Sequence, residues 1–180
     1  MDFSPDSVGK IVLNTTLAGC ASAWAVIAWR WIINADKVDL STILNGILGG
    51  LVGITASSNV VEPLESLIIG IVSGVIVILG VDWLSKKKVD DAVGAIPVHC
   101  FCGIWGGVAT GVFAHGDKIH FVTQLLGSVL IHLWSFIVVW LVFKVLNYIF
   151  GIRVSQETEK SGLDWQEHGE IAYLSLEKKE

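Results

Sequence analysis

Charge is what this chain has least of: Asp, Glu, Lys and Arg make up only 16% of its 180 residues, against 53% hydrophobic residues. A soluble domain carries about a quarter charged residues. With a mean hydropathy of +0.66, the composition excludes that class and reads as a membrane protein. Cysteine is scarce too. Cys20, Cys100 and Cys102 all fall inside apolar segments, which excludes a disulfide framework. The Cys100-x-Cys102 pair has no further soft ligands around it, so no metal site is expected and the thiols read as small buried hydrophobes. The opening Met1-Asp2-Phe3-Ser4-Pro5-Asp6-Ser7 lacks the positive n-region and cleavage site of a secretory signal. No nucleophile-and-base pair suggests a membrane-embedded enzyme, no cofactor is called for, and nothing suggests nucleic-acid binding.

What the chain does have is long apolar runs. Five can be marked off, at about 11–33, 42–61, 66–84, 92–114 and 119–150, each long enough to cross a hydrocarbon core of about 30 Å as a helix. The expected architecture is an all-α polytopic membrane protein, with a transmembrane bundle over 1–150 and a polar tail over 151–180. The last segment exceeds spanning length, so it is expected to tilt or project. Lys86, Lys87 and Lys88 follow the third segment, and Arg30 and Lys37 flank the first connection. The other face has only Lys10 and Lys118, with Glu62 and Glu65 in its middle loop. The excess of basic residues on one face predicts the N-terminus outside and the C-terminal tail inside.

In the first span, Asn14, Thr15, Thr16 and Ser22 prefer a helical neighbour to lipid, and Trp29 and Trp31 beside Arg30 fit an interfacial belt. The second holds Gly46-x-x-x-Gly50 and Gly49-x-x-x-Gly53, spacings that let backbones approach, and turns polar at 55–59, where the helix is expected to break before Pro63. Gly70-x-x-x-Gly74 repeats the spacing in the third.

The fourth span is the centre of interest. Asp90 and Asp91 precede it and suit the orphan amides of a helix start. Pro97 frees a backbone carbonyl, tolerated at membrane depth where neighbours or a cavity compensate. His99 then lies eight residues beyond Asp91, roughly 12 Å along a helix counted from that residue. It stands four residues before a glycine stripe, Gly103, Gly107 and Gly111, and so on the same face. Titratable groups at that depth are rare and usually functional. In the fifth span His120 belongs at the outer interface, and His132 reads as a hydrogen-bonded structural histidine. Two intramembrane histidines also fit a second class, a haem protein with His99 and His132 as axial ligands. The tail, punctuated by Gly162 and Gly169 with Leu163, Trp165 and Tyr173 as anchors, is expected to be ordered and docked beneath the bundle.

Three stretches, in order, resemble the ammonium transporter (Amt/MEP/Rh) family. Gly49-Gly50-Leu51-Val52-Gly53-Ile54-Thr55-Ala56 is similar to its eighth span. Val89-Asp90-Asp91 through Val98-His99 to Cys102-Gly103-Ile104-Trp105-Gly106 is similar to its tenth. Arg153-Val154, Gly162-Leu163-Asp164 and His168-Gly169-Glu170 with Ala172-Tyr173 look like its cytoplasmic C-terminus. The resemblance implies the second half of an eleven-span fold: spans seven to eleven and the regulatory tail. It departs at Cys100, where glycine is usual, at Ala92, where proline is frequent, and at Ser57-Ser58-Asn59, which replace a small Gly-Cys turn.

On that resemblance His99 is one of two neighbouring pore histidines, its partner belonging to a fifth span outside this chain, and Thr55 lines or braces the pore. Asp90 and Asp91 are helix caps rather than pore acids. The implied chemistry avoids the desolvation of a bare cation, which costs tens of kcal/mol in the idealised limit: ammonium loses its proton, ammonia crosses, and paired imidazoles that accept or donate a proton conduct or return it. The implied partners are ammonium and ammonia, the lipid bilayer, further copies in a homotrimer or a complementing N-terminal half, and a P-II-type regulator. For the tail the resemblance points to Arg153, Gly162, Leu163, Asp164, His168, Gly169 and Glu170, with Arg153 bonding carbonyls or carboxylates and Asp164 and His168 ordering the turn. Two functions follow: ammonium transport as a C-terminal partial subunit, or a non-conducting remnant or regulatory fragment that associates with full-length trimers.

Overall fold

The computed structural model describes residues 4–33, 39–115 and 119–169. Lys37, Lys118, Glu170, Ala172 and Tyr173 lie outside the described residues, as do the side chains of Trp165 and His168. The chain is all-helical there and divides into two units, one ending at Leu133 and the other beginning at Trp134.

The first unit is built from α1 (Pro5–Ile32), α2 (Leu40–Ile54), α3 (Pro63–Lys86), a π-helical turn (Ile96–Phe101) that runs directly into α4 (Cys102–Phe113), and the beginning of α5 (Phe121–Phe150). Four helical stretches, α1, α3, the π-turn with α4, and α5, are long and apolar enough to cross a membrane. The fifth, α2, has 15 residues, about 22 Å of helix, and completes its passage in irregular backbone from Thr55 to Val61. Such backbone needs internal partners at membrane depth, and Asn14 supplies them. Fully buried on α1, its Nδ2 donates to the carbonyls of Ser58 and Val61, both at 2.9 Å.

Capping residues start these helices where the sequence changes character. Ser4 Oγ accepts from the Ser7 amide and Pro5 opens α1. Asp39 accepts from the Thr42 amide and hydroxyl at the head of α2, both at 2.7 Å. At α3 the Glu65 carboxylate reaches back to the Glu62 amide at 2.7 Å. The far end of α3 closes differently. The Val89 amide bonds the Leu84 carbonyl and the Lys88 amide the Ser85 carbonyl, a Schellman turn. Its left-handed position is filled by Lys88 at φ +57°, where glycine is the ordinary choice and a side chain costs about 1 kcal/mol.

Small residues hold α1, α2 and α3 together. A Cβ on Gly50 would meet the Ala18 carbonyl and Ser22, and one on Gly70 would run into the Ala18 backbone. With no hydrophobic drive between helices in lipid, such contacts supply association through van der Waals packing. Around them one cluster gathers Ala18, Ile54, Val61, Ile69 and Ala109 against Trp105 and Phe113. A second gathers Val77, Val98 and Cys102. The stripe on α4 packs the same way on α5, Gly103 facing His132, Gly107 facing Ser128 and Gly111 facing Phe121.

The second unit continues α5, whose 30 residues measure about 45 Å, into α6 (Gln156–Ser161) and a closing π-helical turn (Asp164–His168).

Candidate functional site: a histidine on a proline-led turn

The segment expected to be helical from residue 92 becomes helical only at Ala95. The reason is Gly94, which takes φ +72° and sits so close to Asn45 of α2 that a Cβ there would collide with the carboxamide. Asp91 caps the delayed start, Oδ1 accepting from the Ala95 amide at 2.8 Å and Oδ2 from the Ile96 amide at 2.9 Å. Asp90, read as a second cap, makes no hydrogen bond among the described residues. His99 is therefore four residues into its helix rather than eight, about 6 Å from the start.

His99 sits within the π-turn Ile96–Phe101, whose second residue is Pro97, which has no amide to give. Wider turns of this kind are concentrated at functional sites. Pro97 and Val98 are buried, whereas His99 and Cys100 are exposed. The imidazole thus faces outward, without a hydrogen-bond partner among the described residues. At the foot of the turn a cavity of about 590 Å³ opens among Asp39, Asn45, Leu48, Asp90, Asp91 and Gly94.

Thr55 is exposed as well, its hydroxyl donating to the Leu51 carbonyl at 2.7 Å. The backbone of Gly53 abuts Gly106, seven residues or about two turns beyond His99, and Thr55 lies two residues further along than Gly53, with no hydrogen bond joining it to His99. His132 Nδ1 lies 2.7 Å from its own turn's Ser128 carbonyl, leaving Nε2 toward Gly103. Cys20 and Cys100, expected to be buried, are exposed; Cys102 is buried, its Sγ 3.6 Å from the Ser73 carbonyl.

In the second unit Arg153 grips both oxygens of Glu159 at 3.1 Å. Ser155 caps α6, and Thr158 Oγ1 donates to Gln166 Oε1 at 2.6 Å. Gln166, which sequence reasoning passed over, is what ties the closing turn. Asp164 and Leu163 are exposed and the Asp164 carboxylate has no hydrogen bond among the described residues, while Gly162 and Gly169 adopt φ +94° and +65°.

A proline-led π-turn presenting one imidazole, beside a glycine-packed partner helix, is a specific arrangement, and comparison of the whole chain gives it a family. The sequence profile of the Ammonium Transporter Family matches residues 3–173. The chain belongs to the ammonium transporter family. It is 44% identical over 161 residues to a candidate ammonium transporter of Synechocystis sp., covering 89% of this chain and 36% of that protein. It is 39% identical over 184 residues to the ammonium transporter Amt2 of Archaeoglobus fulgidus, covering 92% and 39%. Among solved structures, a sensor Amt protein superposes with a TM-score of 0.80 at 31% identity, over 90% of this chain and 42% of its own. The chain thus spans about two-fifths of the length of these relatives. The fold is that of a membrane-spanning ammonium transporter segment.

Proposed function

We propose that this chain forms one half of an ammonium-conducting pore, with His99 as its proton-handling residue and Thr55 bracing the same pore further along. The observation that carries the reading is the exposed imidazole on the Pro97 turn, in a chain matched to the ammonium transporter family over residues 3–173. An unpartnered titratable group in a helix long and apolar enough to span a membrane is costly unless it serves the passage of an ion or proton. Ammonium must shed its proton to cross apolar surroundings cheaply, and an imidazole accepts and returns one near neutral pH.

In this reading the pore is completed by a complementing N-terminal half and the assembly is a trimer in the plasma membrane. The lysines after α3 set the orientation, placing residues 151–180 in the cytoplasm, where the Arg153–Glu159 pair and the Thr158–Gln166 tie give a P-II-type regulator an ordered surface.

The test is methylammonium uptake in proteoliposomes holding this chain together with the complementing half. His99→Ala is expected to lower uptake by about a hundredfold or more; uptake unchanged by that substitution overturns the assignment. Uptake at background in both proteins, with this chain co-purifying with an intact transporter, would favour the regulatory-fragment reading instead.

A further inference from the structure

Phe101 comes two residues after His99 and turns to the other side of its helix. There α3 and the π-turn with α4 leave an open, almost wholly apolar groove of about 650 Å³ between Ile76, Leu79, Trp83, Phe101, Ile104 and Trp105. Its floor is Gly80, where a Cβ would come within 2.9 Å of Pro97 and 3.0 Å of Phe101. Its upper wall is the tilted Trp83–Phe101 pair, centroids 6.3 Å apart.

The groove runs along α3 from Ile76 to Trp83, about 10 Å, and the same helical stripe continues with Lys87, four residues beyond Trp83. Lys86, Lys87 and Lys88 are all exposed, and none has an ion pair among the described residues. Lys88 occupies the left-handed position of the Schellman turn, at φ +57°. A lysine where glycine is favoured is a backbone outlier, and such outliers point toward function.

An occupant matching this surface is apolar for about 10 Å and anionic at the lysine end. We infer that the groove binds one acyl chain of an anionic phospholipid whose phosphate is met by Lys87 and Lys88. A zwitterionic lipid matches the groove and not the lysines; free phosphate matches the lysines and not the groove. Cationic side chains draw anionic headgroups at a membrane surface, and Trp83 suits the interfacial level between the two. This inference does not rest on the pore reading.

The experiment uses the full chain in detergent, titrated with phosphatidylglycerol or phosphatidylcholine carrying brominated chains, and reads tryptophan quenching. Brominated phosphatidylglycerol is expected to quench at lower concentration than phosphatidylcholine, with the quenching reduced in Trp83→Phe and Trp105→Phe. Lys87→Gln with Lys88→Gly is expected to weaken phosphatidylglycerol binding about tenfold to thirtyfold. Lys88→Gly alone is expected to raise the melting temperature, since glycine relieves the φ +57° strain, so lost binding cannot be mistaken for unfolding. Equal quenching by the two lipids, unaltered binding in the double lysine variant, or displacement of the brominated lipid by millimolar inorganic phosphate would overturn the proposal. So would a second copy of the chain cross-linking through Trp83 and excluding the lipid.

Discussion

At the scale of single residues, the candidate site depends on small groups that fix where its helix begins. Gly94 and Asn45 delay the start, Asp91 caps it, and Pro97 widens the turn that carries His99. Across the same cavity Asp39 does for α2 what Asp91 does for the His99 helix. Its carboxyl is held below the ordinary 3.8, first by the Thr42 hydroxyl, then by the Thr42 amide, with the charge of Arg30 a lesser influence. A carboxyl whose folded-state value is depressed contributes stability that is complete above the unfolded value and is lost as pH falls through the folded one. Asp39→Asn is therefore expected to lower the melting temperature by about a few degrees at neutral pH, with the difference closing as pH falls through the lowered folded-state value of the carboxyl; a gap that is constant from neutral to acid would contradict the cap. Asp91 was legible because an acid before an apolar run is a cap by residue type alone. Asn45 was not, because its partner is 49 residues away and only the packing of α2 brings them together.

At the scale of elements, the glycine spacings on α2, α3 and α4 were legible as close approach, and α1–α2–α3 packing follows from them. Which backbone each glycine meets was not, since a spacing names a face and not its neighbour. Gly70→Ala, which puts a methyl into the Ala18 backbone, is expected to cost about 1–3 kcal/mol by overpacking. Gly9→Ala has open space around it and should fall within about 0.5 kcal/mol of wild type. Unfolding of the two variants in detergent with added denaturant separates these outcomes; equal stability would mean that the helices do not approach at Ala18. The short α2 was partly legible: the polar run at 55–59 announced the break, and the role of Asn14 in satisfying it emerged only with the three-dimensional arrangement.

At the scale of the whole molecule, the feature that sequence could not convey is exposure. Apolar patterning marks segments as membrane-spanning without saying which faces meet protein, so Cys20 and Cys100 read as buried and are in fact open, while Cys102, two residues on, is enclosed. That contrast gives a test of the half-pore reading. In detergent, Cys100 is expected to react with a maleimide and Cys102 to resist, with Cys20→Ser removing the other accessible thiol. Addition of the complementing half should slow labelling of Cys100 about tenfold or more, as access controls thiol chemistry. Unchanged labelling would mean that nothing seats on the His99 side.

One buried amide has a consequence for how the chain is made. Asn14 is fully enclosed and donates to carbonyls 44 and 47 residues further along. When α1 first leaves the ribosome those carbonyls do not yet exist. Released alone into lipid, the helix would carry an unsatisfied carboxamide at a cost of about several kcal/mol. The expected consequence is an order in time: α1 is stable in lipid only once the loop after α2 has arrived, so the two helices are expected to enter the bilayer as a pair.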